Sequence, residues 1–130
     1  GWNSYAIRVG EEILKKEKIP TVITSGPPHS SHLIGLHLRE KFKFNWLIDL
    51  RDPWTDIFYL KDMYRMNWAE NLDSKYERKV LNSSDAILTT AKKNFHRQLK
   101  EKIIDKNKPI YNIYNGYDHE IFSKIESKKK

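Results

Sequence analysis

The sequence contains no cysteine, so disulfide bonds and thiolate metal sites are both excluded. No apolar run approaches the length of a membrane-spanning helix, and the N-terminus lacks the pattern of a signal peptide. These absences fit a protein of a reducing compartment. We therefore expect a soluble cytoplasmic domain, and contact with the inner face of the membrane stays open as an alternative.

The length and composition indicate how many domains the chain can form and which charge a partner would carry. With 130 residues, 38% of them hydrophobic, the chain suffices for one domain with a core and is too short for two ordinary ones. The formal net charge is +7, but the lysines are spread over predicted helix faces and the end of the chain. Such a surface suits anionic lipid headgroups, phosphorylated substrates or nucleic acid. The net charge therefore indicates that a partner is negatively charged but does not identify it.

A short apolar strand that ends in charge lies near the middle of the chain. Residues 46–50 form the apolar run of a strand that is buried on both faces. Three charged residues, Asp49, Arg51 and Asp52, gather at its C-terminal end, and Pro53 stops the strand because it has no N–H to give. Ligands of open parallel sheets bind at the carboxyl ends of the strands, so this cluster is a candidate site. The alternative is an Asp–Arg pair that only closes the strand.

The turn Ser-Gly-Pro-Pro-His-Ser-Ser-His joins a β-branched strand at residues 21–24 to a helix. Such a junction points backbone N–H groups and the positive end of the helix dipole at a ligand, so it would suit an anion. The alternative is an ordinary helix start that Ser30 or Ser31 caps. His29 and His32 could be metal ligands, but no third ligand of matching spacing follows, and we expect no metal.

The connection over residues 54–68 is too irregular for a confident helix or strand. Aromatic and apolar side chains alternate there with Lys61 and Arg65. A long connection of this kind is either functional or a cover for the core. Its amphipathic character favours a surface at the same sheet edge as Asp52 that faces an acceptor or a membrane, with core cover as the alternative.

The second half of the chain repeats the alternation of helix and strand. A helix is predicted over residues 69–81, with Leu72 on its inner stripe and Glu77 on its outer face. Strands follow at residues 86–90 and 110–114, with a helix between them. With a helix at the start of the chain, this order predicts an α/β fold: a Rossmann-like, doubly wound parallel sheet of four strands with helices on both faces.

Three motifs at the ends of predicted strands occur in a specific order and spacing. They are Ser25-Gly26-Pro27-Pro28-His29, Asp49-Leu50-Arg51-Asp52-Pro53-Trp54, and Asn115-Gly116-Tyr117-Asp118 with the apolar Phe122 after it. By these motifs the chain resembles the N-terminal, acceptor-side domain of family-4 glycosyltransferases, which have two Rossmann-like domains in the GT-B arrangement. The resemblance covers roughly residues 20–122.

The resemblance implies an enzyme that moves a sugar from a nucleotide-sugar donor to a carbohydrate or lipid-linked acceptor, typically in bacterial surface polysaccharide synthesis. The chain would be an incomplete N-terminal half, without the family's glycine-rich loop after the first strand. Residues 1–118 would form the acceptor-side domain, and residues 119–130 would begin the linker to the donor-binding domain. We expect no cofactor. We also expect the chain alone to transfer no sugar, because the reacting centre of such enzymes lies between two domains.

Glycosyl transfer needs a group that activates the acceptor hydroxyl and a group that stabilises the leaving diphosphate. Asp52 is the first candidate for the acceptor-side carboxylate, and His29 is the competing catalytic group. Asp49 is expected to be structural, with Arg51 as an orienting partner or a phosphate contact. The candidates for substrate binding are Gly26, Pro27, Ser30 and Ser31 of the turn, together with Trp54 and Asn115.

Two other functions stay open. The first is a nucleic-acid or anionic-surface binding module, which the net charge and the aromatic residues favour. The lack of a recognition motif and the position of the charged clusters at strand ends count against it, so nucleic acid is not our expected partner. The second is a non-catalytic domain with a structural role.

Overall fold

The computed structural model of the chain describes residues 1–91 and 94–116. Helices alternate with strands along this part of the chain, as the sequence predicts. A 3-10 turn at His29–Ser31 precedes the second helix, and another spans Phe58–Asp62. The elements are α1 (Trp2–Lys16), β1 (Thr21–Gly26), α2 (His32–Lys41), β2 (Asn45–Leu50), α3 (Asn67–Ser83), β3 (Ala86–Thr89), α4 (Asn94–Lys102) and β4 (Ile110–Asn112).

The four strands form one parallel sheet in the order β1-β2-β3-β4. The prediction of four parallel strands is confirmed, and the fold is compatible with a Rossmann-like class. The main difference is at the end of β1, which continues through Ser25 and Gly26, where the pattern places the turn. Ser25 pairs there with Asp49 of β2, and its hydroxyl donates a hydrogen bond to that carboxylate at 2.7 Å.

The expectation of helices on both faces of the sheet is wrong for the described residues. The strands follow one another in chain order, so each right-handed crossover turns the same way and places its helix on the same face. Each helix accordingly contacts the next, from α1 to α4. A doubly wound sheet needs a reversal of strand order, which does not occur in this part of the chain. The opposite face leaves Ile23, Tyr111 and Ile113 more than half exposed.

The core lies between the sheet and this single helix layer. Trp46 and Ile48 of β2 are fully buried on the covered face, whereas Leu47 and Asp49 on the other face are half-buried. The expected burial of β2 on both faces therefore holds for one face only. Helix α2 approaches the strand closely at Gly35, where a Cβ atom would lie 2.6 Å from the Trp46 indole.

The buried face of helix α3 differs from the face that the sequence pattern predicts. Leu72 is 40% exposed, and Glu77, predicted on the outer face, is 1% exposed. The carboxylate of Glu77 accepts hydrogen bonds from Thr55 Oγ1 at 2.5 Å and from Lys102 Nζ at 2.7 Å. Lys102 also pairs with Asp56 at 2.6 Å. A buried carboxylate needs such partners, and these tie the start of the connection after β2 to α3 and α4.

The expected serine cap of α2 is absent, because the Ser31 hydroxyl donates instead to the carbonyl oxygens of Ser25 and Pro28, at 2.6 and 2.8 Å. This contact holds the turn closed against the end of β1. No helix in the described ranges is long and apolar enough to cross a membrane. The predicted linker at residues 119–130, and Tyr117, Asp118 and Phe122 of the third motif, lie outside the described residues.

Candidate functional site

A cleft of about 440 Å³ opens at the carboxyl ends of β1 and β2. The first two sequence motifs meet here, since parallel strands bring their carboxyl ends to one edge. The connection after β2 and helix α3 form the other wall, so the predicted location of residues 54–68 beside Asp52 is confirmed. The lining residues are Pro27, Pro28, His29, Ser30, Leu33, Asp52, Trp54, Ile57, Leu60, Arg65, Asp73 and Tyr76.

Two stacked rings, with a buried third ring beside them, form one side of the cleft. The rings of His29 and Trp54 lie nearly parallel, with 5.3 Å between centroids and 14° between planes. His32 lies beside both, 6.1 Å from His29 and 6.0 Å from Trp54. Trp54 is only 7% exposed, so it supports the position of His29 more than it offers a free ring face to a ligand.

On the core side of these rings, His32 contacts buried polar groups. The Trp46 indole Nε1–H donates to Thr24 Oγ1 at 3.0 Å, and this hydroxyl lies 2.8 Å from His32 Nδ1. Gly26 lies against both imidazole rings, because a Cβ there would lie 2.8 Å from His32 Nε2 and 3.1 Å from His29 Nδ1. Both of these ring nitrogens are buried without a hydrogen-bond partner. A larger residue at Gly26 would push the rings apart.

Both histidines are neutral at pH 7. Burial lowers the pKa of His32 to about 4, and a charge on His29 would lower it further. Burial also lowers the pKa of His29, although a hydrogen bond to the Pro53 carbonyl and the charges of Glu77, Asp52 and Asp73 oppose that shift.

The charged side chains of the cleft give it a small net negative charge. Arg65 forms an ion pair with Asp73, and both side chains are partly exposed. Asp52 adds a second carboxylate at the exposed rim. With His29 neutral, one guanidinium faces two carboxylates, which favours a ligand that carries hydroxyl groups over a phosphate.

The turn after β1 offers few amides to an anion. Pro27 and Pro28 have no N–H, and the N–H groups of Ser31 and His32 are already bonded to carbonyl oxygens of the turn. At most His29 and Ser30 could donate there. The predicted anion site is therefore less complete than the sequence pattern indicates.

The structure brings together five of the nine predicted site residues and separates the others. Arg51 is exposed and forms no ion pair with Asp49 or Asp52 within the described ranges; its backbone joins β1 and β3 through Gly26 and Thr90. Gly26 and Ser31 shape the turn from below, and Asn115 is exposed and does not line the cleft. The predicted residues that line the cleft are Pro27, His29, Ser30, Asp52 and Trp54.

Three cleft residues with polar side chains are not apparent from the motifs: Arg65, Asp73 and Tyr76. Asp73 and Tyr76 stand three residues apart on one face of α3, a spacing that the helical period could have indicated. Arg65 belongs to the irregular connection, whose path the sequence does not specify. In the part of the chain that the structure describes, no group of three or more histidine or acidic side chains is placed to hold a metal ion.

The lowered pKa of His32 predicts a pH-dependent stability. The unfolded chain binds a proton near pH 6.5 and the folded chain only near pH 4, so the free energy of unfolding falls as the pH drops through this window. The shift corresponds to a loss of up to roughly 3 kcal/mol, which levels off below pH 4. Urea denaturation of the His32→Gln variant should show a correspondingly flatter profile.

The matched control is His37→Gln, since His37 is partly exposed and contacts Glu11 on the surface. This variant should still lose stability between pH 6.5 and pH 4, because His32 is intact. An unchanged profile in His32→Gln would contradict the assignment of this pH dependence to His32.

Comparisons of the chain with protein-family models, with curated proteins and with solved structures find no match. The function is therefore argued from the residues of the cleft and from the motifs that supply them. The cleft combines a neutral imidazole, two carboxylates and a guanidinium at the carboxyl edge of a parallel sheet, which is where ligands of this fold class bind.

Proposed function

We propose that the chain is the acceptor-side part of a glycosyltransferase that moves a sugar from a nucleotide-sugar donor to a carbohydrate or lipid-linked acceptor. The observation that carries the proposal is the convergence of His29 and Asp52 in one cleft. These residues come from two of the three motifs on which the family-4 resemblance rests. A GT-B enzyme would supply the donor-binding surface from its second Rossmann-like domain.

The charges of the cleft support a hydroxyl-bearing ligand. Carboxylate oxygens accept hydrogen bonds from sugar hydroxyls, and Arg65 and Ser30 line the same cleft as donors. A phosphate would meet more carboxylates than cations and few amides of the turn. The acceptor sugar, rather than the donor's diphosphate, is thus the better occupant of this cleft.

Asp52 is the residue best placed to act on the acceptor. Its carboxylate is exposed at the rim, where a hydroxyl can approach it, and no ion pair with a described residue engages it. It would serve as the base that takes the hydroxyl proton, or as the anchor that orients this hydroxyl. Arg51 is exposed, forms no ion pair with Asp52 and does not line the cleft.

An exposed apolar surface adjoins the cleft and supports a lipid-linked acceptor or a membrane contact. It follows the connection after β2 into the first turns of α3, where monomeric proteins rarely expose so many large side chains. The net charge of +7 on the whole chain would suit anionic headgroups. The surface consists of Phe58, Met63, Tyr64, Met66, Trp68 and Leu72, which are 40% to 103% exposed.

The alternative is a nucleic-acid or anionic-surface binding module. The net charge of +7 favours it, as do the same exposed aromatic side chains. The cleft itself counts against it, because its carboxylates would repel a phosphate backbone. An affinity for nucleic acid that falls steeply with salt concentration, without any binding of sugar nucleotides, would favour this alternative.

We expect Asp52→Asn to lower the turnover of the complete enzyme by a factor of about 10² or more while donor binding changes little, because the carboxylate acts on the acceptor in the transition state. The measurement is a steady-state kinetic comparison of kcat and KM for donor and acceptor. Asp49→Asn is the matched control, since Asp49 lies in β2 three residues before Asp52, contacts Ser25 and does not line the cleft. Unchanged turnover in Asp52→Asn would rule out this role.

We expect the exposed apolar surface to bind anionic membranes. Replacement of Phe58, Tyr64 and Trp68 by serine should reduce co-sedimentation of the complete enzyme with phosphatidylglycerol vesicles several-fold. Trp54 is left intact because it is buried against His29. Replacement of Trp2 and Tyr5, which are about as exposed but lie on α1, is the control and should have little effect. Equal binding by all three proteins would refute the membrane contact.

A further inference from the structure

A second cavity, of about 300 Å³, adjoins the cleft. Leu60 and Arg65 line both spaces, so these two side chains of the connection after β2 stand between them. Helix α3 also contributes to both, because Asp73 lines the cleft and the next residue, Ser74, lines the second cavity. The two spaces are therefore neighbours along α3. The residues that line the second cavity are Thr55, Leu60, Arg65, Glu70, Asn71 and Ser74.

The lining of the second cavity is mostly polar. Among the described residues that line it, only Leu60 is apolar, and the others carry hydroxyl, amide, carboxylate or guanidinium groups. The exposed apolar surface beside the cleft contributes none of its residues to this lining. The acyl chain of a lipid would bury these polar groups without giving them hydrogen-bond partners, which costs free energy. The chemistry of the lining therefore favours a polar occupant.

Three of these polar side chains are available to a ligand. Glu70 and Asn71 are exposed, Ser74 is half-buried, and none of the three side chains bonds to another described residue. Ser74 follows Glu70 by four residues and Asn71 by three, so the helical period brings all three to one face of α3. A carboxylate accepts hydrogen bonds, whereas an amide and a hydroxyl both donate and accept. This set matches the neighbouring hydroxyl groups of a sugar ring.

The other two polar residues of the lining hold the connection against α3. The Thr55 hydroxyl donates to the buried carboxylate of Glu77 at 2.5 Å and accepts from Lys102 Nζ at 2.8 Å. Arg65 forms its ion pair with Asp73, one helical turn before Glu77. Both ends of the segment 55–65 are thus fixed to one helix. A guanidinium has five N–H donors, so Arg65 can keep Asp73 and still donate to a ligand in either space.

We propose that the second cavity is a further sugar subsite, and that the acceptor is an oligosaccharide of at least two sugars. The terminal sugar occupies the cleft beside Asp52, and the preceding sugar occupies the second cavity against Asn71 and Ser74. Glu70 balances the charge of Arg65 there, so a neutral sugar fits better than a phosphate or an acidic peptide. The role of the ligand as an acceptor rests on the proposed function, whereas its binding across both spaces does not require transfer.

Saturation-transfer difference NMR with the complete protein tests the binding directly. The probes are cellobiose, lactose, mannobiose and diacetylchitobiose, each compared with the monosaccharide of its non-reducing end. We expect at least one disaccharide to bind about five-fold or more tightly than its monosaccharide, because the second sugar adds hydrogen bonds, and to show saturation on both rings. Equal affinities within every pair, saturation of one ring only, or no binding by any disaccharide would overturn the proposal.

Two substitutions on α3 locate the second sugar. Asn71→Trp fills the cavity from an exposed position, so it should remove the gain in affinity and leave the affinity for the monosaccharide unchanged. Lys75→Trp is the matched control, since Lys75 is exposed on the same helix and lines neither space, and it should keep the gain. Ser74→Ala adds no bulk and should reduce the gain in part. A gain that survives both Asn71→Trp and Ser74→Ala would overturn the subsite.

Transfer assays on the complete protein separate this proposal from the proposed function. We expect a higher kcat/KM for acceptors of two or more sugars than for acceptors of one, and we expect Asn71→Trp to raise KM for the longer acceptors with little change in kcat. Equal kcat/KM for both kinds of acceptor would overturn the subsite and support the proposed function. Binding of a disaccharide across both spaces without transfer to any acceptor would defeat the proposed function and leave the subsite standing.

Discussion

The packing of Trp46 is the constraint on which the rest of this structure depends. The indole is fully buried between β2 and α2, and Gly35 lets the helix backbone approach to a distance that no Cβ could tolerate. Its single N–H must be satisfied inside the protein, and the hydroxyl of Thr24 does so. The same hydroxyl engages His32 at the start of α2, so one buried ring determines how the turn after β1 lies beneath the cleft.

Much of the fold could be predicted because it depends on local patterns. The apolar runs gave the four strands, and the parallel arrangement brought His29 and Asp52 to one edge although they are distant in sequence. The single helix layer could not be predicted, since periodicity carries no information on strand order. The burial of Glu77 could not be predicted from the local pattern. Its partner Lys102, whose charge offsets the cost of desolvating the carboxylate, lies 25 residues away on another helix.

Only the part of the site that lies directly after the strands could be predicted from the sequence. Residues directly after strands are placed by the sheet, whereas Arg65 is placed by the connection after β2, whose course depends on the buried contacts of Thr55 and Lys102. Asn115 lies away from the cleft although its motif resembles that of the family. The resulting cleft holds neutral imidazole and excess carboxylate, which is a better environment for sugar hydroxyls than for phosphate.

We propose that this cleft binds the acceptor of a sugar transfer. The most direct measurement incubates the complete protein with a panel of nucleotide sugars and of glycan and polyprenyl-phosphate-linked acceptors, and detects the products by mass spectrometry. We expect an acceptor whose mass has increased by one sugar, with release of the nucleotide only when donor and acceptor are both present. A folded complete protein that transfers no sugar from any donor, yet binds nucleic acid with a steep salt dependence, would contradict it.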